Sequence, residues 1–288
     1  MTRVLHRAGP LAAVLVAVVI AWYAGAAWLN FDLTANLADD NATTWDILAL
    51  TMRQDRPLLP APHQLVGELY TSVFGYAVDS PKSLIYHAGV TAFAAFLGFL
   101  IALALGVTFA VGIVHVRTLD RSLMLWLIIS QTIPVLAIAP MVVVVLGNIG
   151  FTGLLPKSLI AGYLSFFPIV TGMVKGLRSP DPMQRDLMRT YSATGAQIFT
   201  MLRWPASMSF LLPSLKVAAS LALVGAIVAE LPTGAQAGLG ARLLSGSYYG
   251  QTLQIWAALF MAAFLALLAV GAVDLFRVVL LRRRGGRL

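Results

Sequence analysis

Of 288 residues, 59% are hydrophobic and only 11% are charged, less than half the charged share of an ordinary soluble domain, which excludes water as the sole solvent of the chain. The net charge of +8 lies between apolar runs and not in one basic patch with interleaved aromatics, a pattern that argues against a nucleic-acid partner. Cysteine is absent, which excludes disulfides, thiolate metal sites and cysteine nucleophiles.

A helix crosses the hydrocarbon core with about 20 mostly apolar residues, and the sequence offers six such runs. The first lies between about Gly9 and Leu29, preceded by Arg3, His6 and Arg7. Ala24-Gly25-Ala26-Ala27 resembles a cleavage site, but the apolar run from Leu11 to Leu29 is long for a signal peptide. Residues 1–30 are therefore read as a retained first transmembrane helix. A comparatively polar segment follows over 31–85. It carries Asp32, Asp39, Asp40, Asp46, Arg53, Asp55 and Arg56 and the rigid Pro57-Leu58-Leu59-Pro60-Ala61-Pro62. From His63 to Phe74, apolar residues recur at helical spacing, which predicts a short amphipathic helix along a membrane surface.

Residues 86–280 hold five further spans: about Tyr86–Val114, Leu123–Leu146, Lys157–Val174, Phe210–Ala229 and Leu253–Leu275. Pro134 and Pro140 remove backbone donors within the third span, so a kink or break is expected there. A basic turn with His115, Arg117, Asp120 and Arg121 joins spans two and three, and a longer polar stretch, 175–205, joins spans four and five. The chain ends in a basic tail, 281–288.

With the N-terminus inside, fourteen Lys and Arg residues fall in cytoplasmic segments and five (Arg53, Arg56, Lys82, Lys157, Arg242) in outer ones. Short cytoplasmic loops collect basic residues. This predicts an inner-membrane protein with both termini cytoplasmic, the 31–85 segment periplasmic and 175–205 cytoplasmic. Lys216, early in span five, is within snorkelling reach of the cytoplasmic surface.

The 175–205 segment is too short for a catalytic domain and long enough for two short helices, which suits a docking element. It reads Asp186-Leu187-Met188-Arg189-Thr190-Tyr191-Ser192-Ala193-Thr194-Gly195, then on to Trp204-Pro205. Gly195 permits a change of direction between helices, and Pro205 is expected to interrupt the helix before span five. Here the sequence resembles the membrane subunits of binding-protein-dependent ABC importers, whose coupling loop reads Glu-Ala-Ala, three residues, Gly, then a later apolar-x-Leu-Pro. Setting Pro205 on the motif proline places Asp186 on the acidic position, Ser192 on the usual Gly, Leu202 on the apolar position and Trp204 on the usual Leu. Ser for Gly and Trp for Leu depart from the pattern and bear on the tightness of the turn. The resemblance runs from about Leu59 to Val279 and is strongest to the nitrate, taurine and sulfonate branch, with its pyrimidine-precursor and riboflavin relatives.

The resemblance implies an all-α membrane protein of the type I importer permease fold, a transport subunit and not an enzyme. Its partners would be a dimer of ATP-binding cassette subunits, a second permease copy or paralogue, a periplasmic substrate-binding protein and the lipid bilayer. No Gly-x-x-x-x-Gly-Lys-Ser/Thr loop is present, so ATP and Mg2+ would sit on the ATPase subunits and no cofactor on this chain. Asp186 would cap or salt-bridge the coupling helix, Leu187, Met188 and Tyr191 would supply apolar contact, and Ser192, Ala193, Gly195 and Pro205 would complete the coupling loop. The cargo implied is a small pyrimidine- or flavin-like heterocycle, ahead of nitrate, taurine or a sulfonate.

Thr91, Gln131, Thr132, Ser220 and Glu230 are candidates for the substrate path. For the hydroxyl and amide residues helix-to-helix hydrogen bonding is the favoured role, and Glu230, at the outer end of span five, serves equally as a gate or partner to a nearby base and as a contact to substrate. Gly234, Gly238, Gly240 and Gly246 predict a flexible outer loop. Asp274 and Arg277 are spaced for a local ion pair, and His6, His63, His87 and His115 lack metal-ligand spacing. The rival is an ion-gradient transporter with Glu230 or Asp274 carrying protons, yet no internal repeat of the kind such proteins show is visible.

Overall fold

The computed structural model describes residues 2–38, 42–231 and 235–283 and is helical through most of them. Asp39, Asp40, Gly234 and most of the basic tail lie outside the described residues. The elements are α1 (Thr2–Ala35), α2 (Thr44–Thr51), α3 (Pro62–Phe74), α4 (Leu84–His115), α5 (Arg117–Ser130), α6 (Val135–Asn148) and α7 (Leu154–Arg178). They continue with α8 (Pro182–Thr190), α9 (Gly195–Ile198), a π-helical turn (Phe199–Arg203), α10 (Trp204–Glu230), α11 (Leu239–Tyr248) and α12 (Thr252–Arg283). Among the described residues, five helices are long and apolar enough to cross a bilayer. α5 and α6, bent by 100° at their junction, pass the same test together and bring the number to six if the pair is one span.

The chain divides into two compact units, residues 1–86 with 242–261, and residues 87–241 with 262–288. In the first unit α1 continues past the predicted end at Leu29, because Asn30 is fully satisfied without leaving the helix. Its Nδ2 donates to Ala26 O (2.7 Å) and Leu59 O (2.8 Å), while Oδ1 accepts from Leu58 N–H (2.6 Å). Trp22 adds a bond from Nε1 to Pro60 O at 2.9 Å. The proline-rich stretch, which has few donors of its own, is thereby pinned to the first span by side chains. α2 begins on a capping box in which Thr43 and Asp46 bond reciprocally, and α3 coincides with the predicted amphipathic helix to within one residue.

In the second unit α4, α7 and α10 pack through small residues. A Cβ on Gly98 would stand 2.5 Å from Ser158 O, and one on Gly225 would stand 2.7 Å from Ala161 Cα, so glycine is what lets these backbones meet. Between them lie Ile169, Met173, Leu177 and Leu212, all buried. Large apolar residues such as Phe93, Val144 and Leu267 face outward, as suits helices solvated by lipid. The first helix of the bent pair ends at Ser130 with Gln131 as its C-cap, and Pro134 is the N-cap of α6, whereas Pro140 is carried inside α6 without ending it.

Three sequence expectations are corrected here. Pro205 does not interrupt a helix: it sits in the first turn of α10, and the chain remains helical from Gly195 to Glu230 because the preceding turn widens to π geometry, with Trp204 N–H bonding Phe199 O. Asp274 pairs with Lys216 of α10 and not with Arg277; the two sit on facing helices, which a local spacing argument cannot see. Gly238 and Gly240 are buried and not part of a flexible loop, for a reason that the site itself supplies.

Candidate functional site

Two polar regions lie along α10, one before its first turn and one at its last. Before the first turn, the connector from α7 folds as helix, turn, helix. α8 starts on Asp181, whose Oδ1 accepts from Met183 N–H at 2.8 Å, with Pro182 in the first turn, where its missing N–H costs nothing. α8 ends in a paired closure, Ser192 N–H to Arg189 O (2.8 Å) and Ala193 N–H to Met188 O (3.0 Å), with Ser192 in the left-handed region at φ 54°. This is the glycine-type helix stop, made here by a serine. The turn thus keeps its tightness despite the departure from Gly. Thr194 then caps α9 through a reciprocal pair with Gln197.

Asp186 is not the cap. It lies mid-helix, exposed, and accepts from Arg189 Nη1 at 3.3 Å. The reason is positional: Asp181, five residues earlier, already accepts from the Met183 amide in the first turn. Leu187 and Tyr191 are exposed at 58% and 80%, while Met188 and Ala193 are half-buried. Gly195 has open space around it and is the first residue of α9, not the turn.

At the other end, Glu230 is fully buried and collects donors from two other helices and a strap. Thr91 Oγ1 of α4 lies 2.9 Å from Oε2 and 3.0 Å from Oε1, Lys157 Nζ of α7 lies 3.4 Å from Oε1, and Gly240 N–H donates to Oε2 at 2.8 Å. The same groups hold the strap over residues 237–240. Lys157 Nζ donates to Ala237 O (2.8 Å), Gly238 N–H to His87 Nδ1 (3.0 Å) and Leu239 N–H to Thr91 Oγ1 (2.8 Å). A Cβ at Gly238, where φ is +124°, would overlap the Glu230 carboxylate. Glycine is required there by both space and backbone conformation.

Of the five substrate-path candidates, the structure brings Thr91 and Glu230 together. It leaves Gln131 and Thr132 exposed at the bend between α5 and α6, and Ser220 half-buried with its hydroxyl on Lys216 O. Lys157, His87 and Gly238 were missed as members of the Glu230 cluster. A signal for Lys157 was present: spans four and five run antiparallel, so a base opening one and an acid closing the other stand at the same level.

Comparison with known proteins gives a consistent picture. The family described as binding-protein-dependent transport system inner membrane component matches residues 98–286. The formylaminopyrimidine transport permease protein of Halalkalibacterium halodurans is 30% identical over 240 residues, covering 82% of this chain and 90% of that one. The riboflavin transport system permease protein of Chloroflexus aurantiacus is 30% identical, covering 64% of this chain and 65% of that one. A putative aliphatic sulfonates transport permease protein of Bacillus subtilis is 26% identical, covering 69% and 70% respectively.

Proposed function

The chain belongs to the inner-membrane components of binding-protein-dependent transport systems, the permease subunits of ABC importers, and from that premise we propose how it works and what it carries. The connector between α7 and α10 faces the cytoplasm and couples the spans to an ATPase. α8 seats in that partner, with Leu187 and Tyr191 as apolar contacts and Asp186 as the charged one, and the α9–α10 helix carries its movement into the bilayer as a rigid lever. The observation that supports this most is the closure at Ser192, which holds an exposed apolar face at a fixed angle outside the spans. Charge asymmetry supports the orientation, with fourteen basic residues on the proposed inner side and five on the outer.

On this reading two permease copies, or this chain and a paralogue, form the path between them, a periplasmic binding protein delivers the solute, and ATP with Mg2+ is bound by the ATPase subunits alone. The cargo is a small pyrimidine- or flavin-like heterocycle, a choice supported by the names of two relatives; the sulfonate named for a third is the next candidate. Proton carriage by Glu230 or Asp274 is disfavoured, because each carboxylate has a basic partner within the chain. The test is uptake into proteoliposomes holding this chain, its cognate ATPase and the binding protein. ATP-dependent accumulation of labelled formylaminopyrimidine or riboflavin is expected. Uptake driven by an ion gradient without the ATPase would overturn the coupling, and ATP-dependent uptake of alkanesulfonate alone would overturn the cargo.

A further inference from the structure

Behind α8 lies a cavity of about 430 Å³ whose walls include Arg185 and Arg189 of α8, Arg203 of the π-helical turn, His115 at the end of α4, and Ile198 and Phe199. Its chemistry is one-sided. Arg203 is partly withdrawn from solvent and, next in weight, faces the like charges of Arg185, Arg189 and Arg178. Of the nearby carboxylates, Asp120 is engaged by Arg178 at 2.8 Å and Asp186 makes a single contact with Arg189. The Nε atoms of Arg185 and Arg203 are buried from solvent and have no hydrogen-bond partner in the chain. Buried donors left unmet are costly, and a basic residue serving only membrane orientation would leave its guanidinium in water. His115 is a wall and not a further donor to the cavity through Nδ1, which bonds Val111 O while the ring packs edge-on to Phe199.

Depth narrows the occupant. α10 runs 27 residues from Trp204 to Glu230, about 40 Å at 1.5 Å per residue, against a hydrocarbon core of roughly 30 Å. Centred on that core, α10 and α4, itself 32 residues long, would set Arg203 and the end of α4 at the headgroup layer, whichever way the chain is oriented. Trp204, the adjoining residue, is a side chain that favours that layer. Guanidinium forks match phosphate oxygens two at a time. We propose that Arg185, Arg189 and Arg203 form a phosphate-binding pocket that takes the headgroup of an anionic phospholipid, with Ile198 and Phe199 as its apolar wall. The lipid would brace α8 against the root of α10.

The test is lipid retention by the full chain with its ATPase, purified from vesicles of phosphatidylcholine with or without phosphatidylglycerol and read by native mass spectrometry. Wild type is expected to retain phosphatidylglycerol selectively. Arg185→Gln with Arg203→Gln should weaken retention by about tenfold or more, as for the loss of charge-assisted hydrogen bonds, and Arg203→Lys, which keeps the charge but loses the fork, should weaken it measurably. Arg117→Gln with Arg121→Gln, on the neighbouring helix, controls for general surface charge and should change little. Equal loss in the control, or full retention in Arg203→Lys, would reduce the pocket to a solvated basic surface and overturn the proposal. Displacement of the lipid by millimolar inorganic phosphate would overturn the membrane source. Release of the ATPase with lipid retention unchanged would assign the arginines to that partner instead.

Discussion

The two ends of α10 handle polar groups in opposite ways. At Glu230 the carboxylate is met from inside the chain, by Thr91, Lys157 and Gly240, and nothing of its side chain reaches solvent. At the Phe199–Arg203 end, Arg178 and Arg189 each meet one acid, but the buried Nε atoms of Arg185 and Arg203 have no hydrogen-bond partner among the described residues, and the apolar side chains of Leu187, Tyr191 and Met201 point outward. A buried charge persists only where it is paired and hydrogen-bonded. A region whose donors and apolar faces are left open is instead completed by something outside the chain. The first end is an internal clasp and the second is the proposed docking face, so damage to them should read out differently, as lost stability in one and as lost partnership in the other.

The contrast can be broken most directly at the clasp. Lys157→Met leaves Glu230 buried without its cation and is expected to cost about 3–5 kcal/mol, seen as a large fall in the thermal midpoint in detergent. The double change Lys157→Met with Glu230→Gln should cost less than the sum of the two single ones. Additive losses would show that the two do not act as a pair. Gly238→Ala forces a Cβ into the carboxylate and a side chain into a disfavoured backbone region, an expected loss of about 2–3 kcal/mol by the same measurement. At the docking face Ser192→Gly relieves the left-handed residue and should stabilise the end of α8 by about 1 kcal/mol, read as slower amide exchange at Ser192 and Ala193. Asp186→Ala is expected to leave the thermal midpoint unmoved while ATPase co-purification and ATP-driven uptake fall. A matching fall in stability would erase the distinction between the two ends.

The smallest effect is expected at α2, where the Thr43 hydroxyl and N–H hold the Asp46 carboxyl below its ordinary value. Because that value is depressed on folding, the capping contribution is present above the usual carboxylate range and is lost as pH falls through the lowered one. Protection factors of the amides across Thr44–Ile47, taken against the intrinsic exchange rate at each pH, should therefore fall on acidification in wild type. The same sites should lose that pH response in Asp46→Asn.

Hydrophobic patterning made the spans legible, since a run of apolar residues long enough to cross lipid has few other uses, and Pro134 marked where the third would break. The helix ends were less legible. Asn30 and Lys157 read as places where a span stops, yet both continue within helices because distant backbone or carboxylate groups satisfy them. The connector between α7 and α10 was legible as a polar stretch of about two short helices, but the choice of Asp181 as cap and the π turn that absorbs Pro205 depend on which amides and carbonyls are free in three dimensions. Thr91 and Glu230 were picked out singly. Their meeting, across 139 positions of chain, follows from the packing of α4 on α10 and from the glycine strap, neither of which leaves a local pattern.

The π-helical turn at Phe199–Arg203 has a consequence for how such chains vary. A π turn holds one residue more than the α-helix it interrupts, and one residue of helix is a rotation of about 100°. Removing a single residue between 199 and 203, and so restoring plain α geometry, would leave α10 and its clasp in place while swinging α9 and α8 a little over a quarter of the way around the helix axis. The direction in which the apolar face of α8 looks is thus indexed by a residue count, and single-residue insertions or deletions at this one turn would re-aim the docking face without altering any residue in it.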